Sequence, residues 1–334
     1  MESARKLKPS TQAVKNTSSM PVKNLEPMKE AGSYVIAIAS QKGGVAKTTT
    51  VVSLGGALVQ RDKEVLLVDL DSQSNLTLAL GKDPGRVRGA ITDVLFNSAT
   101  MLSVSRETAI PGLDLIPSNS GMDLAERFLS VRKDYETILR RAISSEILSS
   151  KNLFTESRIR ETRIPKPFIE VEDDQYRRQT SPTPNGKEHL AGKEHLLYDF
   201  VILDCPPFIG AVTLNALVAS TLLIIPTQPE FFSAYALRTM MGIIQQVRSQ
   251  YNPDLIYRIL ITMFDRRNRI HREVGEQIRT TFGQGVFETI IEVDTKLRES
   301  AVEGLPITHH KSQSRSAVQY DALAQEIMQY VRSR

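Results

Sequence analysis

The segment from Tyr34 to Asp71 constrains the fold of this chain more than any other stretch. An apolar, β-branched run over Tyr34–Ala39 predicts a buried strand, and a short loop with Gly43 and Gly44 follows it. Lys47 and three threonines then begin an apolar segment of helical length. This order of strand, loop and helix is typical of phosphate-binding units. A glycine-rich turn before an ordinary helix would not explain the lysine and threonines at the helix start.

The residue types in this loop suit a nucleoside triphosphate. Glycines let backbone N–H groups approach phosphate oxygens, and the helix N-terminus adds its dipole. Lys47 is placed to neutralise β- and γ-phosphate charge, and the Thr48 hydroxyl is placed to bind Mg²⁺. The sequence therefore predicts binding and hydrolysis of a nucleoside triphosphate, with contacts from Gly43, Gly44, Val45, Ala46, Lys47, Thr48 and Thr49.

Composition sets broad limits on the class of protein. With 334 residues, 41% of them hydrophobic and 24% charged, the chain can bury a large core. The formal charge of +4 permits an anionic partner. Cys205 is the single cysteine, which excludes an internal disulfide framework and fits a reducing cytosol. No apolar run approaches the length of a membrane span, so we expect a cytoplasmic protein.

Two stretches fall outside the expected domain at 33–334. Residues 1–32 carry six basic and three acidic side chains without apolar periodicity, which predicts a basic disordered tail; a partner-binding arm is the alternative. Residues 151–195 contain four prolines, an acidic cluster and a repeated Gly-Lys-Glu-His-Leu. Loops of this length are uncommon inside compact domains, so we interpret residues 151–195 as an insertion.

Carboxylates follow two further apolar runs. Val65–Val68 leads to Asp69 and Asp71, and the run after Tyr198 leads to Asp204. Open α/β sheets bind ligands at the carboxyl ends of their strands, so these side chains are expected to meet there. A helix cap is the alternative for a lone aspartate, but it explains two at this spacing less well.

Alternating strand and helix patterns predict an α/β fold, with a doubly wound, mostly parallel sheet and helices on both faces. The last helix, after Ser314, is expected to pack on the sheet rather than to anchor a membrane, through Val318, Leu323, Ile327 and Val331. The other predicted strands are 113–116, 222–225, 257–263 and 287–292, and the other predicted helices are 51–60, 90–97, 122–149 with a break at 132–134, and 233–250.

The phosphate loop departs from the standard G-x-x-x-x-G-K-[ST] pattern, because Gln41 and Ala46 occupy two glycine positions. With the additional Lys42, it resembles the deviant loop of the ParA/MinD family of P-loop ATPases. The D-x-D-x-Q segment from Asp69 and the D-x-P-P segment from Asp204 resemble the other two motifs of that family, in the same order. The family usually has glycine at position 46, so we expect Ala46 to adopt a negative φ.

The resemblance implies roles for single residues. Lys42 would act in trans on the phosphates of a second subunit, and Asp71 would orient the attacking water. The catalytic candidates are therefore Lys42, Lys47 and Asp71. The magnesium candidates are Thr48, Asp69 and Asp204, and the weaker candidates near the adenine base are Met263 and Asp265.

The resemblance is to the ParA/Soj branch and covers about residues 33–332 apart from the insertion. It implies a homodimer closed by ATP, binding of double-stranded DNA without sequence preference, and a ParB-like partner that stimulates hydrolysis. Partition of a plasmid or chromosome and a nucleoid-associated location would follow. The DNA-binding candidates are Lys296, Arg298, Lys311 and Arg315.

Two other functions stay open. One is an ATPase of the same family that positions a protein cargo rather than DNA. The other is a ligase similar to dethiobiotin synthetase, which needs a pocket for a carboxylate substrate. Lys42 and the D-x-D-x-Q segment argue against the ligase.

Overall fold

The computed structural model describes residues 33–147 and 198–332. The predicted tail and the predicted insertion lie outside the described residues. The strands are β1 Tyr34–Ile38, β2 Val65–Asp69, β3 Arg106–Glu107, β4 Leu113–Ile116, β5 Phe200–Asp204, β6 Leu222–Thr227, β7 Ile256–Phe264 and β8 Val286–Glu292. The helices are α1 Lys47–Val59, α2 Asn75–Ala79, α3 Ile91–Leu95, α4 Met101–Val104, α5 Met122–Leu129, α6 Ile138–Ala142, α7 Ala211–Ala219, α8 Ser233–Gln250, α9 Arg269–Phe282, α10 Lys296–Val302, α11 Ile307–His310 and α12 Arg315–Arg332.

The strands form one sheet in the order β3-β4-β2-β5-β1-β6-β7-β8. Every neighbouring pair is parallel except β3 with β4. Asp204 lies in register with Ile38 on one side and with Asp69 on the other. The phosphate loop and the predicted carboxylates therefore share the carboxyl edge of the sheet. The predicted doubly wound α/β fold is confirmed.

Side chains of the central strands enter two apolar layers, one on each face of the sheet. In β1, Ile36 and Ile38 belong to one layer, and Val35 and Ala37 belong to the other. Because both faces are covered by helices, these strands are continuously apolar rather than alternating with polar residues. Polar groups are thereby concentrated at the carboxyl edge, where the strands end.

The last helix packs beside α1 and β8, as predicted. Its buried residues include Leu323 and Ile327, and the Tyr320 hydroxyl lies 3.1 Å from the Thr50 hydroxyl of α1. Val318 is 59% exposed, so its predicted place on the buried face is wrong. Two residues turn a helix by about 200°. Val318 therefore points away from the stripe that Tyr320 begins.

The predicted break near residue 132 is present, with α5 ending at Leu129 and a 3₁₀ turn at Tyr135–Thr137 leading into α6. A π-helical turn over Ile143–Ile147 follows. Among the described residues, no helix has both the length and the apolar character needed to cross a bilayer.

Candidate nucleotide-binding site

The loop between β1 and α1 has the shape of an anion site. Gly44 has a φ of +72°, and no side chain caps the N-terminus of α1. The first N–H groups of a helix lack intrahelical partners, so those of α1 are open to an anion. The Thr262 hydroxyl of β7 donates to the Val45 carbonyl at 3.1 Å and fixes the loop from a strand that is separated from β1 by β6.

The expected negative φ of Ala46 is wrong, because Ala46 is left-handed, with φ of 65° and ψ of 35°. Its carbonyl accepts the Thr50 N–H at 2.9 Å and the Thr50 hydroxyl at 2.7 Å. These bonds set the orientation of the peptide, and the loop must turn through the left-handed region to reach the helix. A residue with a Cβ pays about 1 kcal/mol or more for that conformation.

Ala46→Gly is therefore expected to raise the free energy of unfolding by up to about 1 kcal/mol. The matched control is Ala57→Gly in the interior of α1, which is right-handed and buried and should lower stability by about 1 kcal/mol. Urea unfolding at constant slope measures both changes. A loss of stability in Ala46→Gly as large as in the control would contradict the assigned strain.

Lys47 lies where a phosphate charge would be met. The side chain is buried, and its Nζ donates to the Lys42 carbonyl at 3.5 Å. Burial lowers the pKa of Lys47, while the nearby Asp204 and Asp71 oppose that effect. A buried ammonium with one long hydrogen bond is suited to an added anionic oxygen.

Thr48 and Asp204 form the part of the site that fits a magnesium ion. The Thr48 hydroxyl donates to Asp204 Oδ2 at 2.7 Å, and Asp204 is 1% exposed. Among the described residues, Asp204 Oδ1 has no hydrogen-bond partner. Burial, followed by the charge of Asp69, raises the pKa of Asp204. A buried carboxylate oxygen without a partner, beside a hydroxyl, matches the oxygen ligands that Mg²⁺ requires.

Asp69 and Asp71 have different surroundings. Asp69 is fully buried, and its oxygens accept from the Thr77 N–H at 2.8 Å, the Thr77 hydroxyl at 2.7 Å and the Asp71 N–H at 3.2 Å. Burial raises the pKa of Asp69 to about 6. Asp71 accepts the Gln73 N–H at 3.0 Å and lies close enough to Lys47 to act on its charge. Asp69 thus fixes the loop after β2, and its role in binding magnesium stays a prediction.

Lys42 forms an ion pair with Glu230, a residue that was not among the predicted site residues. Glu230 lies between β6 and α8, and the two side chains are 31% and 41% exposed. The only available signal was the position of Glu230 just after a buried strand, at the carboxyl edge of the sheet. Phe231 and Phe232 follow it and are 84% and 71% exposed.

The adenine candidates lie at the end of β7. Met263 is left-handed, with a φ of 51°, and β7 shifts register against β8 in this region. Asp265 holds the Arg267 side chain, which lowers the Asp265 pKa through that hydrogen bond. Strained backbone is concentrated at functional sites, which agrees with a role for Met263. The assignment of both residues to adenine stays a prediction.

Three of the four DNA-binding candidates line one open cleft of about 680 Å³, namely Lys296, Lys311 and Arg315. Arg298 is exposed but does not line the cleft. Lys296 pairs with Glu299 at 2.8 Å, and Arg315 pairs with the buried Glu292 at 3.1 Å. The cleft is basic, but two of its cations have internal partners.

The parallel sheet, the β1–α1 loop and the Thr48–Asp204 pair define a P-loop nucleotide-binding protein. The sequence matches the family described as AAA domain over residues 33–149 and 178–257. It is 31% identical to the sporulation initiation inhibitor protein Soj of Bacillus subtilis over 88% of this chain and 97% of Soj. It is also 31% identical to the chromosome partitioning protein ParA of Caulobacter vibrioides, over 90% of this chain and 96% of ParA. The chain belongs to the ParA/MinD family of P-loop proteins, as the sequence predicted.

A solved structure agrees in fold. Cobyrinic acid a,c-diamide synthase from Mycobacterium smegmatis, with bound ADP and magnesium, is 28% identical with a TM-score of 0.64. The match covers 90% of this chain and 96% of that protein. The phosphate loop described above therefore belongs to a fold that holds ADP and magnesium in that relative.

Proposed function

We propose that this protein is a magnesium-dependent ATPase that dimerises on ATP, binds DNA without sequence preference and drives partition with a ParB-like partner. The observation that carries the proposal is the Thr48–Asp204 pair beside the buried Lys47, at the start of an uncapped helix. The resemblance to Soj and to ParA supports the partition function.

Different residues of the site would contact the phosphates, the metal ion and the attacking water. The N–H groups from Gly43 to Thr49 bind phosphate oxygens, and Lys47 compensates their charge. Thr48 and Asp204 would hold a magnesium ion, which would neutralise phosphate charge. Asp71 orients the water that attacks the γ-phosphate.

The dimer is supported by the surface around Lys42. Lys42 pairs with Glu230 at the carboxyl edge, next to the rings of Phe231 and Phe232, which are 84% and 71% exposed and whose centroids lie 5.3 Å apart. A second copy that receives Lys42 at its phosphates would cover these rings. Large exposed apolar patches mark interfaces, so the same contact accounts for both features.

The DNA surface is proposed at the cleft that Lys296, Lys311 and Arg315 line. Lys311 is exposed and offers the clearest test, because Arg315 also holds Glu292 and the Val293 carbonyl. Charge reversal at Arg315 would break that network as well as any phosphate contact. Its effect on DNA binding would therefore be difficult to interpret.

Lys311→Glu is expected to weaken ATP-dependent binding to every DNA sequence and to reduce the salt slope by about 1, because a phosphate contact is lost. Binding is measured by fluorescence anisotropy over a range of salt concentrations, with ATP or ADP. Lys133→Glu, an exposed lysine that does not line this cleft, is the control. Equal salt slopes in wild type and Lys311→Glu would place the surface elsewhere, and no ATP-dependent binding in wild type would overturn the DNA function.

The ligase alternative gains one observation, since the M. smegmatis relative is named a diamide synthase. A ligase needs room for a carboxylate substrate near the phosphates. Lys42, the additional lysine of the phosphate loop, and the D-x-D-x-Q segment from Asp69 argue against the ligase. A neighbouring gene for a ParB-like DNA-binding protein would favour partition over the positioning of a protein cargo.

A further inference from the structure

Helix α7 begins without a side-chain cap of its own, because its N-cap residue is Gly210. Glu126, on α5, supplies the missing acceptor. One of its carboxylate oxygens accepts the Ala211 N–H, and the other accepts the Val212 N–H at 3.1 Å. A carboxylate at a helix N-terminus satisfies free N–H groups and interacts favourably with the helix dipole. The cap of α7 is therefore provided by a different helix, 85 residues away in the sequence.

The fit between Gly210 and Glu126 is close. A Cβ atom at position 210 would lie 1.7 Å from Glu126 Oε1 and 2.5 Å from its carboxyl carbon. The φ of Gly210 is −122°, a value that any residue adopts, so glycine is required here for space rather than for backbone conformation. Any larger residue would push the carboxylate away from α7.

The loop that precedes α7 is the one that follows Asp204. Residues 205–209 connect the buried Asp204 at the end of β5 to Gly210. Within this region the Thr213 hydroxyl donates to the Phe208 carbonyl at 2.8 Å. The loop is thus fixed at one end by the sheet and at the other end by Glu126.

A second contact joins α7 to the same layer of helices. Asn215 accepts the Leu139 N–H of α6 at 3.2 Å and donates to the Ala211 carbonyl at 3.1 Å. The two partners of α7, Glu126 and Leu139, both lie in the segment that holds α5 and α6. The start of α7 therefore takes its position from these helices as well as from the sheet.

We propose that Glu126 is a positioning residue for ATP hydrolysis. By accepting the Ala211 and Val212 N–H groups, it fixes the far end of the loop at 205–209 relative to Asp204, so that this loop keeps a defined position during hydrolysis. The inference rests on the proposed ATPase function. Glu126 itself touches neither the phosphate loop nor Asp204 in the described contacts.

The test separates this role from simple capping. Glu126→Ala removes the cap and the link to α5 together. Glu126→Ala/Gly210→Ser restores a cap on α7 from its own chain, since serine is a good N-cap and the space of the carboxylate has been vacated. Phe208, which lies 3.0 Å from the new Cβ, is half exposed and can move. Asp123→Ala, on an exposed position of α5, is the control.

We expect Glu126→Ala to lower kcat for ATP by about tenfold with KM within about twofold, because the nucleotide contacts remain while the loop is misplaced. The melting temperature should fall by about 2–4 °C. The double variant should regain the melting temperature but not kcat. Glu126→Gln, which keeps one acceptor oxygen, should have an intermediate kcat and serves if Glu126→Ala does not fold.

Recovery of kcat in the double variant would show that Glu126 acts only as a helix cap, and it would overturn the proposal. A wild-type kcat in both Glu126→Ala and Glu126→Gln would overturn it as well. Turnover that is normal in wild type and unaffected by any of these variants contradicts this inference alone. Absence of ATP turnover in the wild-type protein would instead overturn the proposed function on which it rests.

Discussion

Lys42→Ala is expected to bind nucleotide nearly as well as wild type and to lose ATP-dependent dimerisation completely. In the structure the Lys42 side chain pairs with Glu230 rather than with a group of its own phosphate loop. The pair is partly exposed, and exposed ion pairs contribute about 1 kcal/mol or less. Exchanging Glu230 for a phosphate of a second subunit should therefore cost little free energy. This would allow Lys42 to contact the nucleotide of that subunit.

The contrast with Lys47 makes the result specific. Lys47 is buried inside the loop, so Lys47→Ala should lose nucleotide outright. Lys63→Ala is the matched control, because Lys63 forms a similar half-exposed pair with Asp199 at 3.2 Å, near the amino ends of the strands. Light scattering with ATP and Mg²⁺, together with a nucleotide titration, measures all three. A Lys42→Ala protein that still dimerises on ATP would remove the in-trans role.

The parallel sheet could be predicted because its signals are local. Apolar runs such as Val65–Val68 are short, bounded by polar residues and separated by segments of helical period. The positions of Thr48 and Asp204 in one site also followed, since parallel strands bring their carboxyl ends to one edge. Their contact at 2.7 Å agrees with that expectation, although the metal role itself stays a prediction.

Contacts between distant segments could not be predicted in this way. Glu230 meets Lys42 across 188 residues, and Glu126 meets α7 across 85. No periodicity or motif spacing encodes such a meeting, because it depends on how the loops are placed once the sheet has formed. Buried α7 is a related case, since it is apolar on nearly every side and gives no amphipathic period.

The conformation of Ala46 was missed for a different reason. Intrinsic preference favours a negative φ for alanine, and that preference is worth only about 1 kcal/mol. The bonds from Thr50 to the Ala46 carbonyl and the packing of α1 override it. Val318 is a different kind of error. The predicted apolar face of the last helix included Val318, which is exposed in the structure.

Asp71→Ala is expected to retain ATP binding while ATP turnover falls on the order of 100-fold, which is typical when a group that handles the attacking water is lost. Asp71 lies after β2 and close to Lys47, and its side chain accepts the Gln73 N–H rather than a group of the phosphate loop. Removing it should leave the phosphate contacts intact. The dimer should then persist, because in the proposed cycle hydrolysis releases it.

Asp71→Asn separates chemistry from local structure in the same experiment. An asparagine oxygen can still accept the Gln73 N–H, so the turn after β2 is kept while the carboxylate charge is removed. Both variants should show slow phosphate release and a long-lived dimer with ATP. Normal turnover in Asp71→Ala would exclude Asp71 from the mechanism, and normal turnover in Asp71→Asn alone would show that the charge is dispensable and that only the turn matters.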